Sequence, residues 1–363
     1  MSQRLLFLLL LVAYVMSGAY EVLDNVLGLR EFNFDSSAPP AAKVAKEVVV
    51  AILLGALALG RRRRPWIRMS DAILALVFVA LLILPTALLH QAASARVGYL
   101  YLLVSMMVLW AACKAAPQVD AAALDRYFLT PIVALILATQ LLEIALAPES
   151  LYHEVGLLGL DRRAGVAVIP TSAACIGALA LYRLQGAWRI VALAVILIAN
   201  SSIGLVCAAV VLLARQRSRA MVIALAPATV VGLLLLIPMR AGFGESSAAR
   251  LELVADSWDQ LSLVAPSPIG ALATTKSVAL DPGSSYIADA SLLQFALVFG
   301  VVPGLLLLAI CAYWVWRATG LRGLLFFGAA SSGFLVLEAW IIVLAMVFAL
   351  CRSTEPHKLS APP

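Results

Sequence analysis

The chain has 363 residues, of which 63% are hydrophobic and 13% charged, with a mean hydropathy of +1.01. That composition excludes an ordinary soluble enzyme and specifies an all-α polytopic membrane protein. The net charge of +6 is no nucleic-acid signature, because the basic residues punctuate apolar runs and form no solvated face.

The first apolar run follows Arg4. Ser17-Gly18-Ala19 has the small residues of a signal-peptidase site, but the apolar character continues to Leu23, broken only by Glu21. We read an uncleaved first span that delivers the chain to the outer side. Residues 24–46 form an outer loop with Pro39-Pro40. The next span, about 45–60, ends in Arg61-Arg62-Arg63-Arg64-Pro65-Trp66-Ile67-Arg68. The positive-inside rule assigns that end to the cytoplasm.

Further spans are expected at about 70–90, 97–114, 127–147 and 165–183. The run from Arg189 to Arg215 is too short for two crossings and too long for one, with Asn200-Ser201-Ser202 at its middle. It reads as two short helices with a polar turn. A span at about 220–239 leads to the longest polar interval, Arg240 to Asp289, which reads as a large outer loop. Ser291 to Phe299 is a helical stretch, and a crossing follows to Trp316 and Arg317. The last run, Leu324 to Leu350, divides at Ser331-Ser332-Gly333 into two short helices. About twelve segments result, in a single integral membrane domain covering 1–363, with 240–289 as its large periplasmic loop. The acidic residues gather outside, which the positive-inside rule does not demand. Carboxylates with a few arginines among them suit a polar site at the outer surface. The five cysteines fall in apolar segments and read as buried thiols. No metal-ligand cluster or cofactor motif occurs, so neither metal nor cofactor is expected.

Three constellations can carry chemistry. The first holds His153, Glu154, Asp161, Arg162 and Arg163, then Gly165 and Pro170-Thr171-Ser172. Paired guanidinium forks match phosphate oxygens, although arginines at a helix mouth also snorkel to lipid phosphates. The second is Glu245, Arg250 and Trp258 ahead of a turn at Pro266, Pro268 and Gly270. Arg250 and Trp258 are two helical turns apart and share a face. The third is Asp281-Pro282-Gly283, Tyr286 and Asp289 before Gln294. Asp289 stands where a helix N-cap is wanted, and where a boundary carboxylate can also serve as a base.

Laid out in this order, the chain resembles the O-antigen ligase and Wzy-type O-antigen polymerase superfamily. Arg163-Ala164-Gly165 with Pro170-Thr171-Ser172-Ala173 is similar to the family's entry into a middle helix. Arg250 before Trp258 is similar to its Arg-bearing outer helix. Asp289-Ala290-Ser291-Leu292-Leu293-Gln294, then Phe299-Gly300 and Gly304, is similar to its acidic-or-His helix followed by glycines. The expected arginine at the short helical turn is absent, and ligases carry His where this chain has Asp289. The resemblance implies a GT-C-like helical bundle in the bacterial inner membrane with its active site facing the periplasm. It implies transfer of glycan from an undecaprenyl-diphosphate carrier to a sugar hydroxyl, or to lipid A-core in the ligase alternative. Arg163 and Arg250, supported by Arg162, would bind diphosphate. Asp289 would act as base, with Glu245 and His153 in reserve, and Trp258 and Tyr286 would stack on sugars. The partners implied are the lipid-linked oligosaccharide, membrane lipid, a chain-length regulator and a flippase. A transporter belongs to a different class; the sequence shows neither an internal repeat nor many mid-span charges, with Glu143 and Glu338 near segment ends.

Overall fold

A computed structural model of the chain describes residues 2–27, 40–59, 93–146, 162–216, 255–264, 266–267 and 290–351, with isolated positions between 220 and 274. The described residues form helices and connecting turns. Among the described residues, four helices are long and apolar enough to cross a membrane: Gln3–Leu27, Gly98–Gln118, Ala121–Leu146 and Val301–Thr319. This is a helical membrane protein. The expected spans at 70–90 and 220–239 lie essentially outside the described residues, and most of the 240–289 loop does too.

In chain order the helices are α1 (Gln3–Leu27), α2 (Pro40–Leu59), α3 (Ala93–Ala115) and α4 (Ala121–Leu146), then α5 (Pro170–Arg183), α6 (Ala187–Ala199) and α7 (Ser202–Arg215). After the loop come α8 (Ser291–Phe299), α9 (Val301–Thr319), α10 (Leu321–Ser331) and α11 (Trp340–Ala349). Asp120 caps α4, accepting from the Ala122 and Ala123 amides, and residues Asp125–Leu129 make a π-helical turn within it.

Two interrupted pairs appear where the sequence placed them. α6 and α7 have 13 and 14 residues and turn at Asn200, which adopts a left-handed conformation, φ 46°. Ser201 caps α7 by accepting from the Gly204 amide. α10 and α11 have 11 and 10 residues and are separated by a non-α-helical stretch that includes a 3-10 turn at Val336–Glu338. At about 1.5 Å per residue each helix spans roughly 15–21 Å, short of the roughly 30 Å hydrocarbon layer.

α5 is the central element. All of its residues are buried, and it packs against α6, α7 and α11. Gly204 of α7 lies so close to Ala174 of α5 that even a methyl group would not fit. Such small-residue crossings are how membrane helices gain contact area without a hydrophobic driving force.

The bundle has two unlike ends. At one, Arg183 donates from Nε and Nη2 to the two carboxylate oxygens of Asp125 at 3.0 and 2.7 Å. Arg215 donates to the Leu181 and Tyr182 carbonyls, Arg189 to the Leu184 carbonyl, and Arg322 to those of Leu350 and Cys351. Arg322 also lies over the Tyr182 ring, and Arg4 and Arg126 over Tyr127. Arg215, Arg189 and Arg322 thereby satisfy carbonyls at helix C-termini, where the helix dipoles are negative. The opposite end gathers Glu21, Asn25, Glu143, Asn200, Gln294 and Glu338. All five cysteines are free, and four of them are buried.

Candidate functional site

At the carboxylate end the expected 165–183 span begins late. Residues 162–169 are not α-helical, and the helix starts only at Pro170. Ile169 precedes that proline with extended backbone, as a pre-proline residue must, and Pro170 occupies the first turn, where no amide is needed. Gly165 at φ 56° and Val168 at φ 70° hold positive dihedrals that fold the segment into the bundle.

One face of α4 clasps this entering loop. Thr139 Oγ1 accepts from the Val166 amide at 2.9 Å, and Glu143 Oε2 accepts from the Gly165 amide at 3.0 Å. Gln140 Nε2 donates to the Arg163 carbonyl at 2.9 Å. The Arg163 amide itself donates to Ile198 O of α6. Positions 139 and 140 each lie one turn before 143, so a single helical stripe satisfies neighbouring backbone groups of an irregular segment. From α1, the Asn25 amide donates to Glu143 Oε1 at 3.0 Å and the Tyr14 hydroxyl to Ala167 O at 3.5 Å. Non-helical backbone buried in a helical bundle needs partners supplied by the protein in this way.

Arg163 is 7% exposed, so it does not snorkel to lipid from a helix mouth; Glu21 and Glu143, at 0% and 1%, are buried too. Arg162 is half-buried. Beyond the loop, Thr171 and Ser201 share a hydrogen bond of 3.0 Å between their hydroxyls, tying the start of α5 to the turn after α6. Ile203 in turn reaches Gly333 in the break between α10 and α11.

That break carries a second polar cluster. The Gln294 amide of α8 donates to Glu338 Oε1, and Ser291 Oγ to the Phe334 carbonyl. From α3 the Tyr101 hydroxyl donates to the Glu338 carbonyl at 3.2 Å. Its ring stacks on Trp340, whose indole donates to Ser105 at 2.8 Å. The two clusters belong to one end of the bundle, joined through Thr171, Ser201, Ile203 and Gly333.

Of the residues singled out in the sequence, Arg162 and Arg163 sit in the clasped loop. Trp258, expected on an outer helix with its ring offered to sugars, ends a helical turn and is 69% exposed. The segment after it packs on the start of α9: the Val301 and Val302 amides donate to Ser262 and Leu263 carbonyls. His153, Glu245, Arg250, Tyr286 and Asp289 lie outside the described residues. The capping role weighed for Asp289 is narrowed, because α8 takes Ala290 as its N-cap and has no side-chain cap. Sequence reasoning set aside Glu143 and Glu338 as charges near helix ends, and passed over Asn25, Thr139 and Gln140. The available signal was a carboxylate inside an apolar run, which needs a partner wherever it falls.

Compared with known proteins, the chain matches no family model, no curated protein and no solved structure.

Proposed function

We propose that the protein is a polysaccharide polymerase of the bacterial inner membrane. It transfers glycan from an undecaprenyl-diphosphate carrier to an acceptor sugar hydroxyl at the periplasmic face. The observation that carries this reading is a buried arginine, Arg163, on a non-helical loop among carboxylates at the bundle end opposite the arginine cluster. A lipid diphosphate delivers its charge at the membrane boundary, and a guanidinium there offers paired donors that match phosphate oxygens. The leaving group is already a good one, so the reaction asks for charge stabilisation and a proton acceptor. Arg250 and Arg162 complete the cationic set, and Asp289 is the base suggested by the family resemblance, with Glu245 and His153 in reserve. Trp258 and Tyr286 offer rings for sugar stacking. A flippase would supply the lipid-linked repeat, and a chain-length regulator would limit its growth.

The test uses purified protein and lipid-linked repeat units. Arg163→Lys retains charge but loses the fork, and should slow polymer laddering by on the order of a hundredfold, about 2–4 kcal/mol. Wild-type laddering by a folded Arg163→Lys variant would remove Arg163 from the site. Transfer to lipid A-core in place of polymer would instead identify a ligase.

A second reading, a transporter or flippase, is favoured by the short α10–α11 hairpin with Glu338 in its non-helical turn, since irregular backbone between short helices recurs at transporter sites. Movement of the lipid-linked repeat across a proteoliposome bilayer, with no polymer formed, would select it.

A further inference from the structure

Glu338 is the carboxylate of the α10–α11 break, and two other helices bond to it. α8 brings the Gln294 amide to its side chain, and α3 brings the Tyr101 hydroxyl to its backbone carbonyl. From α2, Glu47 faces the same Tyr101 hydroxyl. The break itself supplies the irregular backbone. Glu338 is half-buried, whereas Gln294 behind it is fully buried.

Gln294 holds a chemical clue. Its Nε2 donates to Glu338, but its Oε1 is buried with no hydrogen-bond partner among the described residues. A buried acceptor left unmet costs about 1–3 kcal/mol, so a purely structural amide would be expected to use it. A primary amide carries both a donor and an acceptor. Facing a carboxylate it presents the NH2 group; turned over, it presents the oxygen to a carboxylic acid. Gln294 can therefore hold Glu338 in either protonation state, which suits a carboxyl that gains and loses a proton.

We propose that Glu338 accepts the proton of the acceptor sugar hydroxyl, with Gln294 as its positioning residue. This rests on the glycan-transfer reading and assigns its base to a residue other than Asp289. In the step, the acceptor O–H bond breaks and its proton moves to the Glu338 carboxylate. The acceptor oxygen bonds to the donor's anomeric carbon, and that carbon's bond to the diphosphate oxygen breaks. The electron pair leaves on the lipid diphosphate. Glu338 then returns the proton to water at its exposed side.

The experiment compares wild type, Glu338→Gln, Gln294→Leu and Asp289→Asn in lipid nanodiscs with a lipid-diphosphate-linked repeat unit. Polymer laddering, retention of the donor lipid and thermal unfolding are measured for each. Glu338→Gln should cut the rate by about 10²–10⁴-fold, with donor retention and unfolding temperature unchanged. Gln294→Leu should lower kcat and leave the donor KM near wild type. A folded Glu338→Gln that ladders within a few-fold of wild type overturns the proposal, and a large loss in Asp289→Asn alongside it returns the base to Asp289. Loss of donor retention in step with rate also overturns it, because Glu338 would then be holding structure or substrate. If Glu338→Gln does not fold, Gln294→Leu decides, and a full rate in that variant counts against the pair. A wild-type protein that makes no polymer fails the transfer reading itself, a result distinct from all of these.

Discussion

Gly165 is the residue on which the entering loop depends. Its φ of 56° lies in the left-handed region, and an added Cβ would sit 2.5 Å from Thr139 Oγ1 and 2.8 Å from Ile136 O. The conformation alone penalises an L-residue by about 1–2 kcal/mol, and the clash falls on the helix that supplies the loop's hydrogen bonds. Gly165→Ala should therefore lower the thermal unfolding temperature and weaken donor retention together, since the displaced backbone carries Arg163. A variant with unchanged stability and retention would mean that the loop can relax without the α4 clasp. The sequence showed Gly165 as a member of a motif, but gave no sign of what pressed against it. The stripe Thr139, Gln140 and Glu143 gains meaning only once the opposing backbone is known.

At the scale of elements, the short helices were legible and the loop was not. Polar interruptions at Asn200-Ser201-Ser202 and Ser331-Ser332-Gly333, in runs of the wrong length for whole crossings, locate both breaks. Residues 165–169 read as Gly-Val-Ala-Val-Ile, apolar enough to extend a helix. What stops the helix is the Pro170 ring acting on Ile169 and the positive dihedrals at Gly165 and Val168, and the latter are set by tertiary packing. The packing of α4 on α5 is fastened at its other end by Asp125 and Arg183. The Arg183 side chain is 3% exposed and that of Asp125 26%. Asp125→Asn leaves a buried guanidinium with half its fork, at a cost below the roughly 3–5 kcal/mol of a fully buried broken pair. The expected result is a lower unfolding temperature with transfer chemistry intact in the folded fraction. Loss of activity at unchanged stability would instead place Asp125 in the function.

For the whole molecule, the separation of arginines from carboxylates predicts orientation. The positive-inside rule puts Arg4, Arg183, Arg215 and Arg322 at the cytoplasmic side. Two exposed positions test it, Ser332 in the α10–α11 break and Gln185 between α5 and α6. In intact cells Ser332→Cys should react with a membrane-impermeant maleimide, and Gln185→Cys should react only after permeabilisation. The reverse pattern inverts the protein and, with it, the face at which the proposed lipid-linked donor would be met. Charge asymmetry of this kind is readable from sequence, because it depends on where charges fall along the chain. The joining of the Glu143 and Glu338 clusters is not, because it runs through Thr171, Ser201, Ile203 and Gly333, whose spacing in the chain carries no hint of it.

The bonds from Arg322 to the Leu350 and Cys351 carbonyls bear on how the protein is made. They fasten the first turn of α10 to the chain just beyond α11, so the two helices form a hairpin closed at its open end. Neither helix is long enough to be held by the bilayer as a solitary span. While the ribosome is still adding residues near 350, the guanidinium has none of these acceptors and α10 has no returning strand of chain beside it. The pair is therefore expected to enter the bilayer together, with the last residues of α11 completing the closure. A nascent chain stalled before Leu350 would be left with an unclosed hairpin, open to quality-control proteolysis.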